Sequence, residues 1–262
     1  MKIISFVNQK GGVAKTTSAI NIGACLAGCG YETLLVDLDA QGSLSISAGF
    51  RDIDSSELTT YEVLKGAPVT KAIRTVKKSL DILPTDIRLS GADIELSSIP
   101  GREYILKEAL EPIKRQYDFI LIDCPPSLGI LTLMALTASH QLIVPVKADY
   151  LALNGMSQLL QTMNVIQKRM NPELNILGII ATFYNGRRNL DNQICENIDK
   201  YFPGKLFDTK IGQSTALAEA PAAGEDIFAY NEKSNGACQY AALTNEIIKR
   251  EGVRNHGKKI QS

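Results

Sequence analysis

Two lysines flank a pair of glycines near the start of the chain, within the stretch NQKGGVAKTT at residues 8–17. Lysine, threonine and glycine at such spacing are typical of loops that bind phosphate. The common pattern G-x-x-x-x-G-K-[ST], counted back from Lys15, calls for glycines where this chain has Gln9 and Ala14. Lys10 stands directly before the glycines instead. The stretch is therefore either a degraded phosphate loop or one built on a different plan.

The residues that remain suffice for binding a nucleoside triphosphate. Gly11 and Gly12 allow the backbone N–H groups to approach a phosphate closely. Lys15 can reach the β- and γ-phosphates, Thr16 can ligate Mg²⁺, and Thr17 can contact the α-phosphate. A helix that begins at Lys15 would add its positive N-terminal end. These residues predict a nucleotide site.

Carboxylates follow two further apolar segments. LLVDLDAQGS carries Asp37 and Asp39 at the end of one predicted strand, and FILIDCPPS carries Asp123 at the end of another. Ligands of parallel sheets bind beyond the carboxyl ends of the strands, so these side chains are expected beside the phosphate loop. Asp123 is the candidate to hold Mg²⁺, directly or through water. Together with the loop, the carboxylates favour a nucleoside triphosphatase.

These groups need a scaffold, and the hydrophobic pattern predicts one in which strands and helices alternate. Several of the apolar runs lack polar alternation, as strands covered on both faces do. The pattern predicts strands at 2–7, 33–37, 80–84, 119–123, 141–146 and 176–183, and helices at 15–28, 102–115, 128–138, 153–170, 189–202 and 236–250. The predicted fold class is α/β, a single-domain, doubly wound and mostly parallel sheet with helices on both faces.

Length and composition agree with one such domain. The chain has 262 residues and equal numbers of acidic and basic side chains, 28 of each, so nucleic-acid binding would depend on a local patch. No signal peptide or apolar run of membrane-spanning length is evident, which predicts a cytoplasmic protein. We expect residues 1–250 to form the ATPase domain and residues 251–262 to form a polar, frayed tail.

Five segments in combination resemble the ParA family, which includes Soj and comprises the deviant Walker A ATPases that partition plasmids and chromosomes. The segments are KGGVAKTT, LLVDLDAQGS, DFILIDCPPSLG, LSGADIELSS with REYILKEAL, and LAEAPAAGEDI, and the resemblance runs from residue 1 to about residue 250. It implies ATP and Mg²⁺ as cofactors and a homodimer that forms on ATP binding. Lys10 then corresponds to the signature lysine of the family, which contacts the ATP of the partner protomer.

The resemblance also assigns roles within the site. It implies that Asp39 acts in hydrolysis through the attacking water, whereas Asp37 supports the magnesium shell. The catalytic candidates are Lys10, Lys15, Asp39 and Asp123, and the metal candidates are Thr16, Asp37, Asp39 and Asp123. The candidates for nucleotide binding are Lys10, Gly11, Gly12, Val13, Ala14, Lys15, Thr16 and Thr17 in the loop, with Thr182, Phe183, Ile211 and Gln213 around the adenine.

Partners follow from the same resemblance. The family implies a ParB-like protein that stimulates slow hydrolysis, and non-specific DNA bound through basic residues of the C-terminal half, a location that would make the protein nucleoid-associated. The DNA-binding candidates here are Arg187, Arg188, Lys249 and Arg250, and Arg254, Lys258 and Lys259 add charge to the tail. Gln213 and Ala216 replace arginines expected before LAEAP, which weakens the inference, and Asn154 replaces a common glutamate.

Three other readings stay open. A MinD-like ATPase that positions cargo at a membrane needs an amphipathic C-terminal helix, but after Arg250 only Val253 and Ile260 are strongly apolar. A small-molecule ligase on the same scaffold would not need Lys10. An iron–sulfur reductase needs a cysteine from each protomer at the dimer axis, and Cys124, which we interpret as structural, is the candidate.

Overall fold

The computed structural model describes residues 1–148 and 152–253, without the side chains of residues 93 and 152–157. The predicted tail residues Arg254, Lys258 and Lys259 and the side chain of Asn154 therefore lie outside the described residues. No helix within the described ranges is long and apolar enough to cross a bilayer.

The described strands form one eight-stranded sheet in the order β3-β4-β2-β5-β1-β6-β7-β8. They are β1 (Lys2–Phe6), β2 (Thr33–Asp37), β3 (Arg74–Lys77), β4 (Leu80–Leu83), β5 (Phe119–Asp123), β6 (Gln141–Lys147), β7 (Asn175–Tyr184) and β8 (Ile211–Gly212). All neighbouring strands are parallel except β3 and β4. The predicted α/β class and mostly parallel sheet are confirmed.

Helices cover both faces of this sheet. They are α1 (Lys15–Gly28), α2 (Ser43–Ser47), α3 (Thr60–Leu64), α4 (Val69–Ala72), α5 (Ala92–Glu95), α6 (Ile105–Leu110), α7 (Ile130–Ala138), α8 (Ala152–Arg169), α9 (Asn189–Tyr201), α10 (Thr215–Ala223), α11 (Ile227–Asn231) and α12 (Asn235–Glu251). Alternate residues of each central strand enter different cores: Ile3 faces the side of α6 and α7, whereas Ile4 faces α1 and α12. Burial on both faces explains the unbroken apolar runs of the sequence.

One predicted helix was wrong, and one edge strand was missed. The single helix predicted over 102–115 is divided into a 3-10 turn at Arg102–Tyr104, α6, and a second 3-10 turn at Glu111–Ile113. Pro112 ends the α-helical segment because it has no N–H to donate and its ring clashes with the preceding turn. The antiparallel strand β3 was missed, since its sequence RTVK carries charges suited to a sheet edge.

The C-terminal helix extends past the expected end of the domain. Glu251 is its last residue, and its buried carboxylate forms an ion pair with Lys2 at 2.7 Å. Gly252 ends the helix with a positive φ of 62°. Glu251 therefore belongs to the folded domain and not to a frayed tail.

Candidate nucleotide site

The phosphate loop lies at the carboxyl end of β1, between β5 and β6, where the strand order reverses. Gly12 and Ala14 both adopt the left-handed region, with φ of 68° and 66°. A Cβ atom built on Gly11 or Gly12 would meet no atom within 4 Å, so the space beside both glycines is open. Ala14 directly precedes α1, whose first turn is closed by a bond from the Ser18 N–H to the Ala14 carbonyl.

The left-handed conformation of Ala14 leads to a stability prediction. An L-residue in this region costs about 1–2 kcal/mol, whereas glycine adds about 0.4–1 kcal/mol of backbone entropy to the unfolded chain. We expect Ala14→Gly to raise the free energy of unfolding by about 0.5–1 kcal/mol, measured from the urea midpoint at constant slope. Ala229→Gly, in the exposed part of α11, should instead lower it by up to about 1 kcal/mol. A loss of stability in Ala14→Gly would contradict the conclusion that the left-handed backbone of Ala14 is strained.

Lys15 lies inside the loop, whereas Lys10 is exposed at its rim. The Lys15 side chain is only 7% exposed, and its ammonium donates to the Lys10 carbonyl at 3.3 Å. Burial lowers the pKa of Lys15, an effect that the carboxylate of Asp123 opposes. The long contact with a neutral carbonyl leaves the ammonium ready to bind a stronger acceptor such as a phosphate oxygen.

Thr16 and Asp123, two of the predicted metal candidates, are in direct contact. The Thr16 hydroxyl donates to Oδ2 of Asp123 at 2.6 Å, and Oδ1 of Asp123 has no hydrogen-bond partner among the described residues. Burial raises the pKa of Asp123 to about 8, and the neighbouring Asp37 contributes in the same direction. A fully buried carboxylate oxygen without a partner fits a cation such as Mg²⁺, which binds one or two carboxylates together with substrate phosphates.

The three predicted carboxylates do not converge on one point. Within the described residues, no group of three His, Cys, Asp or Glu side chains has the geometry of a metal site. Asp37 is fully buried, and its Oδ2 accepts the N–H and hydroxyl of Ser45 at 2.8 and 2.7 Å. Burial raises the pKa of Asp37 to about 6. Asp37 therefore fixes α2 and the backbone of Asp39, whose N–H lies 3.2 Å from Asp37 Oδ1.

Two adjoining cavities provide space for a nucleotide. The larger, about 410 Å³, is lined by Gly11, Gly12, Lys15, Thr16 and Asp39, together with residues of α2 and Pro126. The smaller, about 240 Å³, is lined by all four residues predicted around the adenine, which are Thr182, Phe183, Ile211 and Gln213. Ala14, Thr17 and Phe183 line both cavities. The first suits a triphosphate and the second a base.

The walls of the base cavity include residues that the sequence did not reveal. Leu217 and Ala218 come from α10, and Tyr240 comes from α12 with its hydroxyl 3.1 Å from that of Ser18. Thr182 donates to the Val13 carbonyl at 3.1 Å and so joins this cavity to the phosphate loop. Leu217 and Tyr240 read as ordinary core positions in sequence, and only packing shows that they meet at a cavity.

The four predicted DNA-binding residues lie at opposite ends of the strands. Arg187 and Arg188 follow β7 at the carboxyl ends of the parallel strands, which we call the nucleotide edge of the sheet, and both are exposed. The guanidinium of Arg250 donates to the carbonyl of Leu177, near the start of β7, and lies 4.2 Å from the ring of Phe207. Lys249 precedes it in α12. At about 3.3 Å per strand residue the two edges are roughly 20–30 Å apart.

Cys124 is fully buried, and burial raises the pKa of its thiol. A cysteine that ligates an iron–sulfur cluster at a dimer axis must reach the surface and bind as thiolate. The geometry therefore opposes the reductase reading and agrees with a structural cysteine.

The fold and the site define an α/β nucleotide-binding protein of the phosphate-loop type. A family model described as AAA domain matches residues 1–176. The chain is 45% identical over 255 residues to the chromosome-partitioning ATPase Soj of Treponema pallidum, covering 97% of this chain and 99% of that protein. It is 44% identical over 247 residues to the sporulation initiation inhibitor protein Soj of Bacillus subtilis, covering 94% and 98%.

A solved structure matches over the same length. The cobyrinic acid a,c-diamide synthase from Mycobacterium smegmatis, with bound ATP analog and magnesium, superimposes with a TM-score of 0.85 and 34% identity, covering 100% of this chain and 99% of that one. With the curated relatives, these findings place the chain plainly: it belongs to the ParA/Soj family of chromosome-partitioning ATPases. The predicted family and enzyme class are confirmed.

Proposed function

We propose that this protein is an Mg²⁺-dependent ATPase that dimerises on ATP and partitions DNA, with a ParB-like protein stimulating its slow hydrolysis. The observation that carries the proposal is the division of labour between the two lysines of one loop. Lys15 is buried against its own phosphate cavity, whereas Lys10 is exposed at the rim. A lysine at the rim can reach a triphosphate that a second protomer presents.

The chain's own residues hold the nucleotide in this proposal. The backbone of Gly11 and Gly12 and the ammonium of Lys15 bind the phosphates, and the base enters the cavity beside Phe183. Thr16 and Asp123 would hold Mg²⁺, which when bound neutralises charge on the β- and γ-phosphates. Asp39 lines the phosphate cavity and is half-buried, so its carboxylate can orient a water toward the γ-phosphate.

Lys10→Ala tests the dimer directly. We expect the variant to bind ATP with an affinity close to that of the parent, because Lys15 and the loop amides are intact. The ATP dimer should be lost, because facing triphosphates would lack the lysine from the other protomer. Light scattering with ATP and magnesium measures this, with a fluorescent ATP analogue reporting monomer binding. A variant that dimerises like the parent would remove the role of Lys10 in trans.

The proposed DNA surface lies at the nucleotide edge of the sheet. Arg187 and Arg188 are exposed there, and we add to the proposed surface the exposed Lys147, the last residue of β6. Lys147 pairs in register with Thr182, and its ammonium lies 5.4 Å from the ring centre of Phe183. A dimer doubles this patch of three cations beside the nucleotide. Arg250 is excluded from the proposed surface because its guanidinium binds backbone carbonyls at the opposite edge.

Replacing Arg187 and Arg188 together by alanine should weaken ATP-dependent DNA binding equally for all sequences. For the parent, the logarithm of the binding constant should fall with the logarithm of the salt concentration with a slope of about −0.9 per neutralised phosphate. In the variant this slope should become shallower by about 0.9 for each phosphate contact that is lost. Lys168→Ala with Arg169→Ala is the matched control, since it removes the same charge at the end of α8, which leads into the start of β7. Mobility shifts at low salt measure both; equal losses would show that net charge alone acts.

The cations of the proposed surface can neutralise phosphates in DNA of any sequence, so the proposed binding is indifferent to sequence. ATP hydrolysis would then separate the dimer and release it from DNA. The proposed location is the cytoplasm, on the nucleoid while ATP is bound. The partner protein binds the cargo, so a neighbouring gene whose product resembles ParB would identify the cargo.

One specific observation supports a second candidate, a small-molecule ligase: the solved M. smegmatis relative is named a diamide synthase. Its 34% identity is lower than the 45% identity to the chromosome-partitioning ATPase Soj of T. pallidum. ATP turnover that requires an added carboxylic acid and ammonia, without ATP-dependent dimerisation, would favour the ligase.

A further inference from the structure

Asn8 occupies the bend between β1 and the phosphate loop, and its side chain makes two hydrogen bonds in different directions. Its Nδ2 donates to the carbonyl of Pro145 in β6 at 2.7 Å. Its Oδ1 accepts the backbone N–H of Lys10 at 3.0 Å. The side chain is 8% exposed. One partner accepts and the other donates, so the contacts fix which end of the amide is which.

The two contacts join the rim of the loop to a rigid part of the sheet. Pro145 lies within the ladder between β6 and β7, opposite Ile180. Lys10 is the residue at the loop's outer edge, and its backbone carbonyl accepts from Lys15 at 3.3 Å. A phosphate oxygen competes for the Lys15 ammonium when a nucleotide binds, because charged acceptors form the stronger hydrogen bonds. The Asn8 contacts involve only backbone partners outside the phosphate cavity and do not depend on the nucleotide.

We infer that Asn8 is a positioning residue that sets the backbone of Lys10 for its contact with the partner's triphosphate. This inference rests on the proposed function, since it gives Asn8 a role only if Lys10 acts across a dimer. The physical reason is preorganisation. A long lysine side chain loses less freedom on binding when the backbone that carries it is already fixed. Asn8 therefore acts on dimer formation and leaves the binding of ATP within one protomer to Lys15.

The experiment compares four variants of the full chain for ATP affinity and for dimerisation. Asn8→Ala should raise the dissociation constant of the ATP dimer at least about fivefold to tenfold, because each of the two protomers loses the hydrogen bond that holds its Lys10 backbone. Its affinity for a fluorescent ATP analogue in dilute monomer should change less than about twofold, since Lys15 is untouched. Asn8→Ser should recover part of the dimerisation, because a serine hydroxyl can accept from the N–H two residues ahead.

Asn171→Ala is the matched control for a merely structural loss. Asn171 is also 8% exposed, and its Nδ2 donates to the carbonyls of Leu136 and Ser139 at 2.9 and 2.6 Å, far from the phosphate loop in the fold. It should lose a similar amount of stability and dimerise like the parent. Equal dimerisation defects in Asn8→Ala and Asn171→Ala would overturn the inference, as would normal dimerisation of Asn8→Ala.

Dimerisation of Lys10→Ala shows whether a negative result for Asn8→Ala overturns only the role of Asn8 or also the proposed function. If Lys10→Ala fails to dimerise while Asn8→Ala dimerises normally, only the role of Asn8 is wrong. If Lys10→Ala itself dimerises like the parent, the contact in trans is wrong and the inference about Asn8 falls with it.

Discussion

Lys15→Ala should weaken ATP binding at least tenfold. The ammonium is buried in the phosphate loop and shares its surroundings with the carboxylates of Asp123 and Asp39. With ATP bound, its present contact with the Lys10 carbonyl would give way to phosphate oxygens. A charge-assisted hydrogen bond in a buried site contributes roughly 1.5–3 kcal/mol, which corresponds to a factor of ten or more in affinity. Titration of a fluorescent ATP analogue measures the change.

Lys10→Ala is the control for this effect, because it removes the same charge from the same loop at an exposed position. It should leave the affinity of the monomer for ATP nearly unchanged. An unaltered dissociation constant for Lys15→Ala would show that the phosphates bind elsewhere. Equal losses in the two variants would show that the loop responds only to its total charge.

Asp123→Asn should have opposite effects on stability and activity. The carboxylate is buried beside Asp37, its partner in the register of β2 and β5, and Oδ1 lacks a partner among the described residues. Leaving a buried polar group unpaired costs about 1–3 kcal/mol, and more for a charge. Because the pKa of Asp123 rises from 3.8 to about 8, folding of the parent at neutral pH requires this carboxyl to take up a proton, which the amide does not need; we therefore expect the nucleotide-free variant to be more stable by at least about 1 kcal/mol. Magnesium-dependent ATP hydrolysis should be lost.

The stability gain should depend on pH in a defined direction. The pKa of Asp123 rises from 3.8 to about 8 on folding, so between these values the folded state binds more protons than the unfolded state. The stability of the parent therefore falls as the pH rises through this window, whereas the variant lacks this contribution. The difference between the two proteins should widen from about pH 4 to about pH 8, as measured by urea denaturation.

Asp39→Asn is the matched control for Asp123→Asn. Asp39 lies in the same cavity but is half-buried, and its Oδ1 accepts the N–H of Gln41 at 3.1 Å. It should impair hydrolysis with little change in stability. A parent and an Asp123→Asn variant with the same stability throughout the pH range would contradict the raised pKa of Asp123 in the folded state.

The elements nearest the nucleotide could be predicted from sequence almost to the residue. The predicted bounds of β2, β5 and α1 are those observed, because each apolar run ends at a charged residue or a glycine. The phosphate loop between β1 and α1 could be predicted from residue types alone. Strand β8 has two residues, too few for any period to appear in the sequence, and it was missed.

Other features depend on tertiary structure and have no local signal. The separation of Arg187 from Arg250 follows from the direction of α12 across the sheet, which the sequence does not display. The family resemblance made Asp37 a metal candidate that supports the magnesium shell. Its oxygens accept hydrogen bonds from Ser45 and the Asp39 backbone, contacts that have no signal in the sequence because they form only when α2 folds back over the strand.

The strand order constrains how the protein is assembled on the ribosome. β1 carries the phosphate loop but is paired on one side with β5 and on the other with β6, with Lys2 opposite Phe119 and Ser5 opposite Leu142. At about 5–20 residues per second, roughly 7–28 s of synthesis separate the first strand from the end of β6. Until then Asn8 has no Pro145 carbonyl to bind. ATP could therefore bind the completed site, and so stabilise the folded state, only late in translation, although the phosphate loop is among the first segments synthesised.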